Sequence, residues 1–297
     1  MRISTATIYD RSLTSMQTLG AKAERLQTEI AGGKRVLTAS DDAGSFGRLS
    51  LIKRNVASEK ADKTNIALAS TLVAQSDSVL GSIETQLQRA KELATQGNTG
   101  ALSPAQKKVI GQELSAIVDE LVSLANSQDA RGQPLFGGSS SATPFARNAE
   151  GVVTWQGSGT PATIPIGQGG SIQATDSGER LFTAEGGGAD IFAAVQAIAD
   201  SLIEGTEIAE ADVAALDTGL DQIGTARASF GARGARLDLE MQRIDDLAVD
   251  REAERSSLED ADVEQTIVEL QKTMTILSAT QASFSRLSQL SLFDYLR

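Results

Sequence analysis

Apolar residues at both ends of the chain recur at alternating steps of three and four, and this spacing restricts the fold more than any other feature. Met16, Leu19, Ala23, Leu26 and Ile30 share one helix face, and Gly32-Gly33 ends that helix. A second helix is expected after Asp41-Asp42, whose carboxylates suit a helix N-terminus. Its seam runs through Ala69, Val73, Ser76, Leu80, Ile83, Leu87 and Ala90 and stops at Gly97-Asn98-Thr99-Gly100. Ser103-Pro104-Ala105-Gln106 has the form of a capping box with Pro at the first helical position. Ile110, Leu114, Ile117, Leu121 and Leu124 continue the third helix. The short turn before it makes the second and third helices antiparallel neighbours.

The pattern returns late in the chain. Ile191, Val195, Ile198 and Leu202 form a short face. A long helix begins at Leu216, Leu220 and Ile223 and runs on through Phe230, Leu237, Met241 and Ile244, weakened locally by Gly231 and Gly234. A last seam comprises Val263, Ile267, Leu270, Met274, Leu277, Gln281, Phe284 and Ser288. Between the two halves, residues 131–190 hold 13 of the 27 Gly, four of the five Pro and the single Trp155. There, Val152-Val153-Thr154-Trp155 and Thr163-Ile164-Pro165-Ile166 read as short strands between turns.

The expected fold is therefore mainly α. N- and C-terminal halves form a long antiparallel helical bundle or coiled coil with a small central β-rich domain, because neither half alone can bury its seam. The expected domains are a terminal coiled coil (1–40 with 255–297), a helical rod (41–130 with 190–254) and an inserted β-rich domain (131–189). Residues 1–35 carry six basic and three acidic side chains, and residues 255–297 carry four and six, a mild complementarity that suits pairing termini.

Chemistry is limited by what is missing. The 297 residues include no Cys and no His, which removes thiolate and imidazole nucleophiles, acid–base groups and zinc ligands. No catalytic, cofactor-binding or metal-ligating set is expected. Asp41, Asp42, Asp260 and Asp262 read as helix caps rather than metal ligands. Gly32-Gly33-Lys34-Arg35 lacks the earlier Gly and the following Ser/Thr of a phosphate loop. A formal charge of −12 argues against nucleic acid as a partner. No stretch of about 18 apolar residues was expected to cross a membrane. The first ten residues lack the apolar centre of a cleavable signal, which on its own would read as cytoplasmic.

Four stretches carry a resemblance to the flagellin family. Residues 26–43, with Gly32-Gly33 and Ala39-Ser40-Asp41-Asp42-Ala43, resemble that family's N-terminal break between two helices. Leu87-Gln88-Arg89-Ala90-Lys91-Glu92-Leu93-Ala94-Thr95-Gln96 is similar to a helix of its rigid core. Glu259-Asp260-Ala261-Asp262 resembles the entry to its C-terminal helix. Gly132-Gln133-Pro134-Leu135-Phe136-Gly137-Gly138 and the ending Leu292-Phe293-Asp294-Tyr295-Leu296 are similar to the family's hook-filament junction members, with Pro134 in place of an aromatic.

The resemblance implies a structural part of the flagellum rather than an enzyme. It also implies export through the flagellar type III apparatus without a cleaved signal. The implied partners are hook-associated protein 1, flagellin, further copies of the same chain and a cytosolic export chaperone. The expected assembly interface is Leu13, Met16, Leu19, Leu26 and Ile30 with Ile267, Leu270, Met274, Leu277 and Phe284. Filament flagellin itself, and a surface adhesin using residues 131–189, remain alternatives.

Overall fold

A computed structural model describes residues 2–100, 102–148, 151–186 and 188–295, with residues 2–6, 8, 186 and 287–295 described by their backbone. In chain order the elements are α1 (Arg2–Gly32), α2 (Ala43–Gly97), α3 (Pro104–Ala125), β1 (Phe145–Arg147), β2 (Val153–Trp155), β3 (Thr163–Gly167) and β4 (Gly170–Gln173). They are followed by α4 (Gly178–Phe182), α5 (Ile191–Glu204), α6 (Glu210–Glu259) and α7 (Val263–Tyr295). Two compact units result: residues 1–57 with 246–297, and residues 58–245. Helices α2 and α6 each contribute to both.

The inner unit is built on helix pairs. α3 packs along α5. α2 faces α6 through Lys63 to Asp245, Arg227 to Asp77 and Glu84, and Lys91 to Asp217. Numbers rise along α2 as they fall along α6, so the two helices are antiparallel. Gly231 and Gly234 do not interrupt α6.

The capping box of α3 forms as its sequence implied. Gln106 N–H donates to Ser103 Oγ at 3.4 Å, and Ser103 N–H donates to Gln106 Oε1 at 2.9 Å. Ser103→Ala is expected to cost about 1 kcal/mol, read as a lower urea midpoint by circular dichroism.

α2 corrects one expectation. It contains an 18-residue window of mean hydropathy 1.3, apolar and long enough by composition to cross a membrane, and 39% of that window is buried inside the fold. The reason for the apolarity is visible in the packing. Ile66, Ala69, Leu72, Val73, Leu80 and Ile83 of α2 belong to the core of the inner unit. Asp77 of the same helix is held by Arg227.

The expected strands at 152–155 and 163–166 appear as β2 and β3. Each pairs antiparallel with a strand the periodicity did not indicate, β1 with β2 and β3 with β4. β1 has three residues and β4 begins with Gly, so neither shows an alternating pattern. In the β3–β4 turn Gln168 (φ 46°) and Gly169 (φ 74°) are both left-handed, the conformation that matches strand twist in a two-residue hairpin.

Two-stranded ribbons bury too little to stand alone, and these ribbons share a core with the helices. Leu135, Phe136, Phe145, Ile166, Ile172 and Phe182 pack in one cluster with Leu80, Leu114, Val195 and Leu216.

Candidate assembly interface

In the terminal unit α1 lies along α7. Tyr9 meets Phe284 edge-on with ring centroids 5.4 Å apart, and Lys22 Nζ lies 2.6 Å from Glu269 Oε1. The chain directions are therefore opposed. On α1 the expected seam holds: Ala23 and Leu26 are buried, and Met16, Leu19 and Ile30 are half-buried.

On α7 the seam departs from the expected line at alternate positions. Leu270, Leu277 and Phe284 are half-buried, as a seam requires. The intervening places are taken by Thr266, Thr273 and Thr280 instead of Ile267 and Met274. Each threonine hydroxyl donates to the carbonyl one turn back: Asp262 at 2.6 Å, Glu269 at 2.8 Å and Ile276 at 2.7 Å. A hydroxyl satisfied in this way can enter a seam without an unpaired polar group. The signal was present in the sequence as three threonines seven residues apart, but a count of apolar residues passes over them.

The apolar stripe of α7 is consequently wider than one α1 can cover. Leu13, Ile267 and Met274 are 45%, 40% and 51% exposed. Val263, not among the expected interface residues, is exposed on the same side of α7, and Ile276 is exposed on its opposite flank. The ten expected residues thus divide. Met16, Leu19, Leu26, Ile30, Leu270, Leu277 and Phe284 turn toward the α1–α7 seam, and Leu13, Ile267 and Met274 face outward. The side chains of residues 287–295, with Ser288 and most of the C-terminal motif, lie outside the described residues, as do Leu296 and Arg297.

Two of the four flagellin-like stretches meet in space. Gly33 adopts φ +64°, a left-handed turn that a Cβ would strain, and releases the chain from α1 toward the α6–α7 junction. Lys34 and Asp260 form an antiparallel bridge. Arg35 N–H donates to the Glu259 carbonyl at 2.7 Å, and Ala261 N–H to the Gly33 carbonyl at 2.9 Å. Glu259, buried, takes Lys34 Nζ at 2.8 Å and also pairs with Arg255.

Of the four aspartates expected as helix caps, Asp42 and Asp262 are caps, whereas Asp41 braces the connection before α2 and Asp260 accepts the Ser256 hydroxyl at 2.6 Å. Asp41 accepts the N–H groups of Leu37 and Thr38 at 3.1 and 2.8 Å. Asp42 accepts Ser45 N–H at 3.0 Å at the start of α2, and Asp262 accepts Gln265 N–H at 3.0 Å at the start of α7. Among the described residues, no group of three or more acidic side chains could hold a metal ion.

The clasp titrates. The Lys34 hydrogen bond, with help from Arg255 and against the effect of burial, holds the Glu259 carboxyl below its ordinary 4.5. Lys22 does the same for Glu269. A carboxyl depressed in the folded state adds stability above its unfolded value, and that stability is lost as pH falls through the folded value. The terminal unit is expected to loosen below about pH 4.5. Glu259→Gln should flatten the stability–pH curve there, measured by urea unfolding across the acid range; an unchanged slope would refute the assignment.

The other two stretches lie in the inner unit. Leu87, Ala90, Leu93 and Ala94 are buried, while Arg89 on the outer side reaches Glu113 at 2.8 Å. In the Gly132–Gly138 turn, Asp129 accepts the N–H groups of Arg131 and Gln133 at 2.8 and 2.9 Å. Leu135 and Phe136 are thereby driven into the core. Phe136 stacks edge-on with Phe182 at 5.2 Å, and Phe145 contacts Trp155, Phe182 and Phe192.

Comparison with known proteins follows this architecture. Residues 3–141 match the bacterial flagellin N-terminal helical region and residues 213–296 the bacterial flagellin C-terminal helical region. Together these matches span most of the chain, and the chain belongs to the flagellin family, as a structural component of the bacterial flagellum.

Among its relatives, flagellar hook-associated protein 3 of Salmonella typhimurium is 25% identical over 99% of both chains. A flagellin of Listeria innocua is 26% identical over 97% of this chain and 95% of its own. In fold, the crystal structure of flagellar hook associated protein-3 from Legionella pneumophila matches with a TM-score of 0.63 at 16% identity, over 70% of this chain and 98% of that one.

Proposed function

We propose that the chain is a hook-filament junction protein: it joins hook-associated protein 1 on the hook side to filament flagellin on the other, and packs against further copies of itself. The observation that carries this reading is the outward apolar edge of the terminal hairpin. One chain leaves Leu13, Ile267 and Met274 in water. Burial against neighbours would return about 25 cal/mol per Å² of that surface, so the terminal helices reach full stability only in the assembly. The chain leaves the cell through the flagellar type III apparatus, escorted by a cytosolic chaperone; the lack of Cys suits passage as an unfolded chain.

Filament flagellin is the second reading, favoured by the near full-length similarity to the Listeria protein. The adhesin reading has less behind it, since the single Trp155 is packed on Phe145. Immunogold electron microscopy of intact flagella with antibody to residues 131–189 separates these readings. A narrow collar between hook and filament is the expected result. Label along the whole filament would make the chain a flagellin, and label confined to shed or cell-surface material would remove the junction role.

A further inference from the structure

The β1–β2 ribbon has one closed edge and one open edge. Asn148 N–H donates to the Val152 carbonyl at 2.9 Å, and Gln156 N–H to the Pro144 carbonyl at 2.7 Å. Ala146 stands opposite Thr154 midway between these bonds. Bonded pairs alternate along an antiparallel ladder. Val152, Thr154 and Gln156 therefore turn their backbone groups toward β1, while Val153 and Trp155 turn theirs away. On the far side of β1 the edge is closed at Phe145. Asn126 Nδ2 donates to the Phe145 carbonyl and Phe145 N–H donates to Asn126 Oδ1, both at 2.9 Å, as a neighbouring strand would. Among the described residues, nothing does this for Val153 or Trp155.

The open edge borders a groove. Val152 and Val153 line a cavity of about 230 Å³ from the strand side, and Phe192 and Ala197 line it from α5. Val152 is 54% exposed. Asp190 and Asp200 line the same cavity. Asp190 caps α5 through Oδ1 alone, which accepts Phe192 N–H at 3.0 Å and Ala193 N–H at 2.9 Å, and this leaves Oδ2 for a ligand. Burial pushes the Asp190 carboxyl above its ordinary value, against those two bonds. A cation in the groove would relieve that imbalance. Asp200 is exposed and holds Gln196 Nε2 at 2.8 Å. Arg147, beside the groove, is committed to Asp119, Gln196 and the Gly151 carbonyl.

We infer that the β2–α5 groove binds an extended peptide by strand addition to the β2 edge, and selects a segment whose apolar side chain is flanked at alternate positions by lysine or arginine. Alternate residues of a strand share a face, and Val153 and Trp155 turn that face toward the helical core. A peptide paired beside them places its apolar residue over Phe192 and its cations toward Asp190 and Asp200. This contact is independent of the junction reading and of the α1–α7 edge.

Trp155 is the only tryptophan and lies on the strand itself, so its emission reports occupancy. The purified full-length chain is titrated with the acetylated, amidated peptide Lys-Thr-Val-Thr-Lys. A saturable change in Trp155 emission is expected. Exchanging both lysines of the peptide for glutamate should weaken binding about tenfold or more. Asp190→Asn with Asp200→Asn, which keeps a capping side chain at the start of α5, should do the same. Val153→Pro removes an N–H that faces away from β1, a place where an edge strand tolerates proline, and should weaken binding about fivefold. Two N-methylated peptides cover the case in which that variant misfolds. Methylation of the valine alone, or of both threonines alone, blocks opposite edges of the peptide, so one should lose binding and the other keep it. Absence of a saturable change at millimolar peptide would overturn the proposal. So would the same effect from both methylations, or an affinity indifferent to the two aspartates.

Discussion

Ile267→Asp combined with Met274→Asp is expected to abolish incorporation of the chain into flagella while leaving the free protein folded. Both positions are about half in water, so a carboxylate there costs the isolated chain little. In an assembled wall the same carboxylates would be buried against a neighbour. Each loses the roughly 1.5–3 kcal/mol that a buried apolar side chain of this size contributes and adds the cost of desolvating an unpaired charge. The effect repeats at every subunit contact. Leu26→Asp with Leu270→Asp is the contrasting pair. Those residues turn toward the α1–α7 seam, so their replacement should lower helix content in the free chain before assembly is attempted. Circular dichroism of purified protein and immunoblots of sheared flagella distinguish the two. Normal incorporation of the Ile267→Asp, Met274→Asp chain would show that the outward edge of α7 is not an assembly surface.

That contrast also marks how far sequence carries. The helix limits at Gly32, Ala43 and Pro104 were legible because each rests on a local rule: a left-handed glycine, a capping aspartate and a capping box. The residues that line α1 were legible as well, because Ala23, Leu26 and Ile30 offer a single apolar line. On α7 two lines compete, one through Thr266 and Thr273 and one through Ile267 and Met274. The choice between them depends on what α1 can cover, a tertiary fact no local pattern contains. The meeting of Gly33-Lys34-Arg35 with Glu259-Asp260-Ala261 was not legible either. Each stretch could be recognised separately, but their hydrogen bonds join residues more than two hundred positions apart. In the middle of the chain, β1 and β4 were missed because three or four residues show no period. The anchoring of residues 131–189 in the helical core was missed because Phe136, Phe145, Phe182 and Phe192 are scattered among turns and helices.

The cost of breaking that anchor decides whether the middle of the chain is a module or part of the scaffold. Phe136→Ala is expected to destabilise the inner unit by about 3–5 kcal/mol, as for a fully buried aromatic whose neighbours cannot close the gap. Three contacts hold those neighbours. Phe182 meets the ring edge-on at 5.2 Å, Gly178 N–H donates to the Phe136 carbonyl at 2.8 Å, and the preceding turn is fixed by Asp129. A loss of that size is a large part of the 5–15 kcal/mol that keeps a typical domain folded. An independently folded insertion would melt by itself, with tryptophan fluorescence changing at lower urea and helix content unaffected. A core shared with α3, α5 and α6 requires that Trp155 fluorescence and far-ultraviolet helix signal move together to a lower midpoint. Phe136→Leu, which retains most of the apolar volume, should recover much of the loss. Separate transitions would mean that residues 131–189 fold on their own and can be exchanged without disturbing the helices, the property an adhesin would need. A single shifted transition means that this chain's helical scaffold depends on its central segment, and that the Gly132–Gly138 turn serves packing.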